Sequence, residues 1–100
     1  MAVAHMRDDT PGGRRLAFEC PGCCMMHEVR VDGPGPGPLW QWDGSLDAPI
    51  ISPSILVAWT YGEPPRKRVC HSFVRAGRIE FLGDCTHELA GQTVPLPEDD

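Results

Sequence analysis

A chain of 100 residues with eleven glycines and eleven prolines has few positions left for regular core. At this length roughly 60–70% of the unfolded surface is buried, so a cross-link is expected to supplement the apolar interior. The formal net charge of −5 argues against unspecific nucleic-acid binding, which needs a basic face to displace counterions, and no apolar run approaches the roughly 18 residues that span a membrane.

Residues 1–15 are small, polar and charged, without the apolar stretch of a secretion signal. They are expected to form a flexible or partner-ordered arm ahead of a single domain over residues 16–97, with 98–100 as an acidic tail. Without a secretion signal export is not expected, and in a reducing compartment disulfides do not persist. Leu16-Ala17-Phe18-Glu19 reads as a short strand leading into Cys20-Pro21-Gly22-Cys23, and Met26–Val31 alternates apolar and polar residues as the returning strand. The Pro-Gly pair favours a tight turn, because Pro fixes φ and Gly tolerates positive φ. The unit predicts a β-hairpin tipped by two thiolates, as in a zinc knuckle.

Residues 32–38 (DGPGPGP) cannot join a ladder, since three prolines lack donors and three glycines resist ordering. A strand follows over Leu39-Trp40-Gln41-Trp42, and Asp43-Gly44 marks a turn. Ile50–Thr60 is β-branched and aromatic, broken by a bend at Ser52-Pro53 and extended from Ser54 to Trp59. Val69–Arg75 and Arg78–Leu82 form a hairpin across Ala76-Gly77, by a two-residue turn or by a bulged one that sets Phe73, Ile79 and Phe81 on one face. Thr86–Ala90 reads as a helical turn and Thr93–Leu96 as a last edge strand. The fold expected is mostly β with little helix: a small zinc-stabilised domain of hairpins, ribbon- or knuckle-like.

Five cysteines and four histidines supply the chemistry. Folding the hairpin about Ala76-Gly77 returns Cys85 to the end of the sheet that holds Cys70. The first-choice metal ligands are therefore Cys20, Cys23, Cys70 and Cys85, with His87 as the substitute fourth ligand and Zn2+ as the ion. His71 is disfavoured, because adjacent strand residues point to opposite faces. His27 reads as a packing residue behind the ligands. Enough ligands are present to close the shell, which favours a structural over a catalytic metal. Asp84 and Glu88, the only candidate bases nearby, read more simply as surface residues.

Other chemistries find less support. A redox Cys-x-x-Cys normally opens a helix, and a strand follows here. A nucleophilic cysteine paired with His71 or His87 lacks a glycine loop for an oxyanion. No catalytic residue is assigned, and the chain is expected not to be an enzyme. Trp40, Trp42 and Trp59 read as core, or as an aromatic surface beside the Pro-Gly loop. Arg66-Lys67-Arg68 serves nucleic acid or a host factor only if it shares a face with Arg75 and Arg78.

The runs CPGC, WQWDG, PIISPSILV and CHSFVRAGRIEFLGDCTHELAGQTVPLP together resemble a family of small phage and prophage proteins. The resemblance covers Phe18–Pro97, and Cys20, Cys23, Cys70, His71, Cys85 and His87 fall at its motif positions. It implies a compact zinc-binding β protein, found in a host cytoplasm and in the virion besides, acting as a structural or accessory protein–protein interaction module with virion proteins among its partners. The chain departs from that pattern at Cys24, where a glycine usually follows the second knuckle cysteine.

Overall fold

The computed structural model describes residues 2–8, 13–33 and 37–98. Residues 1 and 9–12 of the expected arm, residues 34–36 of the Pro-Gly loop and the last two residues of the acidic tail lie outside the described residues. Eight strands form two antiparallel sheets, and the described residues contain no helix: β1 Ala4–Arg7, β2 Arg14–Cys20, β3 Met25–Asp32, β4 Gln41–Trp42, β5 Ile51–Tyr61, β6 Arg66–Arg75, β7 Arg78–Phe81 and β8 Thr93–Pro95. The first sheet has the order β1-β2-β3 and the second β4-β5-β6-β7-β8. The mostly-β, hairpin-built domain is therefore as expected, and the helical turn at Thr86–Ala90 is a run of bends and turns.

Alternation explains the core. Leu16, Phe18 and Cys20 on β2 and Val29 on β3 turn inward to meet Ile51 and Ile55 of β5, Cys70 and Val74 of β6, and Ile79 and Phe81 of β7. Each fully buried large side chain contributes about 1.5–3 kcal/mol, and there are few of them. The amino-terminal segment adds to this core instead of standing apart. β1 pairs with β2 from Ala4↔Phe18 to Arg7↔Arg15, and Ala4 is fully buried.

The β6–β7 hairpin closes with the two-residue turn: Arg75 pairs with Arg78, and Ala76 and Gly77 both take positive φ, at 52° and 78°. That register pairs Val74 with Ile79 and Ser72 with Phe81. Phe73 consequently faces the opposite side from Ile79 and Phe81, where Arg75 stacks on its ring. The bulged alternative would have shifted every side chain on one strand to the other face.

The bend expected at Ser52-Pro53 is an insertion in β5. Ile51 pairs with Val74 and Ile55 with Ser72, so β5 spends four residues where β6 spends two. Both isoleucines stay in the core while residues 52–54 are pushed outward. Bulges of this kind re-aim side chains and recur beside active sites.

Candidate functional site

The bulge turns Ser54 toward β6. Leu56 is the direct cross-strand partner of His71, so Ser54, two residues earlier, lies diagonally across from the imidazole on the outer face of the sheet. Ser54 Oγ stands 3.1 Å from His71 Nε2, and His71 Nδ1 stands 3.1 Å from Asp84 Oδ2. An ionised carboxylate can only accept, so Nδ1 carries the proton and donates it to Asp84. The neutral ring then presents a lone pair at Nε2 to the Ser54 hydroxyl. This is the hydrogen-bond order of a serine nucleophile, its general base and the carboxylate that orients the base.

The scaffold around His71 is unusually well fixed. Its main-chain N–H donates to Cys85 Sγ, and Cys85 Sγ donates back to the His71 carbonyl, each at 3.2 Å. The same carbonyl accepts from Leu82 N at 2.9 Å. Cys85 therefore clamps the peptide units on both sides of the base. The imidazole itself is 26% exposed and Asp84 56% exposed, so the base can be reached from solvent. The Ser54 carbonyl is held as well, by the indole N–H of Trp40 at 3.3 Å.

A second cluster occupies the inner face of the same strand. One ligand atom each from Cys20, Cys23, Cys70 and His87 lies within 4.8 Å of all the others, close enough to hold a metal ion. Cys20 Sγ and Cys70 Sγ are 3.8 Å apart, and the edge of a tetrahedron with metal–sulfur bonds of about 2.3 Å is about 3.8 Å. His87 also offers a buried Nε2 with no hydrogen-bond partner. His87 Nδ1 accepts from Leu89 N at 3.2 Å, so ligation through either ring nitrogen needs that contact or the ring proton to shift, while the three sulfurs and one imidazole are a donor set that fits a metal. Of the sequence candidates, Cys20, Cys23 and Cys70 converge, and the substitute His87 joins them. Cys85, first choice for the fourth position, is instead turned to the His71 backbone, where its Sγ accepts from one peptide N–H and donates to the His71 carbonyl.

The turn that carries the first two ligands follows from its residues. Cys24 N donates to Cys20 O at 2.8 Å, and Cys23 N points at Cys20 Sγ at 3.4 Å. Gly22 matters for space: a Cβ there would lie 2.3–2.6 Å from three atoms of the His87 ring. The left-handed residue is Cys24, at φ 58°.

The thiols titrate very differently. The hydrogen bond from Cys70 pulls Cys20 down to about 3, while burial pushes Cys23 up to about 11. Cys70 is raised, chiefly because it donates to the Cys20 thiolate. One negative charge is thus tolerated among three packed sulfurs, and a cation is what would let the others ionise. His27 lies edge-on to Phe18 behind the cluster, where it also favours the Cys20 thiolate.

The two clusters are joined through single peptide bonds of β6. Cys70 faces inward to the metal ligands and His71, the next residue, faces outward to Ser54. Sequence reasoning placed Ser54 in a strand and Asp84 on the surface without relating them to His71. Nothing in their spacing announces the constellation, since Ser54, His71 and Asp84 meet only through the β5–β6 register and the return of the chain after β7.

Together these features define a small all-β protein with a Ser-His-Asp hydrogen-bond relay on one face and a Cys/His cluster able to hold a metal ion on the other. The chain belongs to the BubE family, described as the bacterial ubiquitination-like system serine protease, whose model matches residues 2–82. The match spans Ser54, His71 and three of the four clustered ligands, and ends two residues before Asp84. No curated protein and no solved structure matches the chain. The expectation that the chain is not an enzyme is corrected by this membership, because the family is one of proteases.

Proposed function

We propose that the protein is a serine protease of a bacterial ubiquitination-like system, with Ser54 as nucleophile, His71 as general base and acid, and Asp84 as the group that orients His71. The observation that carries this reading is the pair of 3.1 Å contacts linking Ser54 Oγ, His71 and Asp84. In acylation, Ser54 Oγ attacks the scissile carbonyl as its proton passes to His71 Nε2. The imidazolium is stabilised by Asp84 and returns the proton to the leaving amine. Water then repeats the sequence against the acyl-Ser54 ester, with His71 again as base.

Zinc suits the neighbouring cluster, whose three sulfurs and one nitrogen form a common structural donor set. Held by Cys20, Cys23, Cys70 and His87, it would complete its shell with protein atoms and act as a cross-link. That cross-link ties the β2–β3 turn to β6 at the residue before His71, and to the segment that carries Asp84. Its contribution to catalysis is positional.

The alternative of a nucleic-acid-binding regulator meets a geometric obstacle. Arg66 and Arg68 alternate onto the face opposite Lys67 and Arg75, and Arg75 is paired with Glu80 at 2.9 Å. The basic residues therefore do not form the single patch such a role requires. The phage interaction-module reading has no comparable geometric feature in its favour.

Active-site labelling tests the proposal. A fluorophosphonate should modify the metal-loaded protein at Ser54 alone, located by peptide mass spectrometry, and Ser54→Ala or His71→Ala should abolish labelling while the melting temperature stays close to wild type. Labelling that persists in Ser54→Ala would refute the assignment.

A further inference from the structure

We infer that the open edge of β5 over residues 56–61 is the substrate-docking surface, and that its occupant is an extended peptide segment which adds to the sheet as a further strand with its scissile bond at Ser54. The inference rests on the serine-protease reading above and supplies its substrate class. β4 pairs with β5 only at Gln41↔Ser52 and Trp42↔Ile51. From Ile55 to Tyr61, β5 pairs with β6 on one side and, among the described residues, with no strand on the other. β4 therefore stops just short of the nucleophile and leaves room for about six residues, or roughly 20 Å of strand.

The main chain on that side is available. The Ser54 carbonyl is already turned toward the β4 side, where Trp40 donates to it. Alternation along the strand directs the main-chain groups of Leu56, Ala58 and Thr60 the same way.

The composition of this edge is also unlike that of the others. Residues 54–61 read Ser-Ile-Leu-Val-Ala-Trp-Thr-Tyr, with no charge and no proline. Exposed sheet edges are normally blunted by charge, proline or brevity, because an unguarded one recruits another chain. β1 is four residues long and ends in Arg7, β8 is three residues long and ends in Pro95, and β3 carries Glu28, Arg30 and Asp32. Only β5 among these edges is both long and unprotected, and it runs directly into the Ser54 bulge. Leu56, 60% exposed and opposite His71, stands ready to meet a substrate side chain on the catalytic face.

Strand addition makes recognition depend on the peptide backbone at every second residue. The test uses the metal-loaded protein and a positional-scanning library of acyl-peptide coumarin amides, followed by the preferred sequence with each amide N-methylated in turn. The expected result is a loss of kcat/KM with period two along the peptide, roughly five- to tenfold at each hydrogen-bonded position. Ala58→Pro, which removes an edge donor without introducing charge, should lower kcat/KM for the peptide by a similar factor. Its rate of fluorophosphonate labelling at Ser54 should match wild type. Losses that follow side-chain identity without the alternation, or an unaffected Ala58→Pro, overturn the inference. So does a wild-type protein that is labelled at Ser54 but cleaves no member of the library, or a stable dimer that Ala58→Pro dissociates, which would assign the edge to a second copy. Absence of labelling in the wild type is a different failure, and sinks the protease reading itself.

Discussion

Removing the Asp84 carboxylate should slow the reaction without unfolding the protein, and the structure sets the size of the effect. In the proposed mechanism Asp84 contributes in two ways: it fixes the Nδ1–H tautomer of His71, and it stabilises the imidazolium formed as Ser54 attacks. For charges about 4 Å apart the second term is about 1 kcal/mol in bulk water and about 4 kcal/mol at the effective dielectric of a protein surface. Asp84 is 56% exposed, which places it toward the lower figure. About 1–2 kcal/mol corresponds to roughly a 5- to 30-fold change in rate. In Asp84→Asn the carboxamide can accept from Nδ1 through its oxygen or, flipped, donate to it through its NH2 and hold the wrong tautomer, so kcat should fall by at least roughly tenfold. Asp84→Ala loses the tautomer preference too, and kcat should fall roughly 10²- to 10³-fold. Both losses are smaller than the ~10⁴ attached to a buried triad aspartate. An exposed ion pair adds about 0–1 kcal/mol to stability, so melting should shift by no more than about 8 °C. The assay is steady-state hydrolysis of a coumarin peptide beside a thermal melt of each variant. A kcat for Asp84→Ala within threefold of wild type, or a loss accompanied by collapse of the melt, would refute the orienting role.

The metal cluster yields further expectations. Cys85→Ala should keep one metal per chain while losing kcat through the freed His71 backbone, whereas His87→Ala should lose the metal; metal analysis after dialysis separates the two sulfur and nitrogen candidates directly. Gly22→Ala forces a methyl into the His87 ring, and should weaken metal retention against a chelator by at least about tenfold, as for loss of a supporting contact at a metal site. Because Cys20 alone is a thiolate among the three sulfurs without metal, uptake at pH 7 should expel about two protons; calorimetry in buffers of different ionisation enthalpy counts them, and release of three would show that the cluster is not preformed. Cys24→Gly should raise stability by about 0.5–1 kcal/mol in chemical denaturation, since φ 58° is costly for a side-chain-bearing residue.

A glycine in place of Cys24 would suit the left-handed backbone at that position. Such local features are what a sequence carries well. The returning strand over Met26–Val31, the punctuation at Ala76-Gly77, and the Cys20–Cys23 turn each depend on neighbours in the chain, and each is present where expected, although Met26 is exposed and His27 and Arg30 are buried. The inserted residues at Ser52-Pro53 were visible as an interruption, though not as the device that aims Ser54.

Side-chain partners across strands depend on register, and register is set by turn type and by which face is buried. A two-residue turn in place of a bulged one moved Phe73 out of the core. The two extra residues in β5 brought Ser54 alongside His71, and the turns that follow β7 placed His87 beside the three clustered cysteines and Cys85 against the His71 backbone. The sequence alone determined a small β domain with a thiolate-rich turn, because strand periodicity and turn chemistry are local. Which serine, which histidine and which carboxylate face one another was decided by the tertiary structure, since contacts among residues 17 and 13 positions apart arise only once the strands have paired.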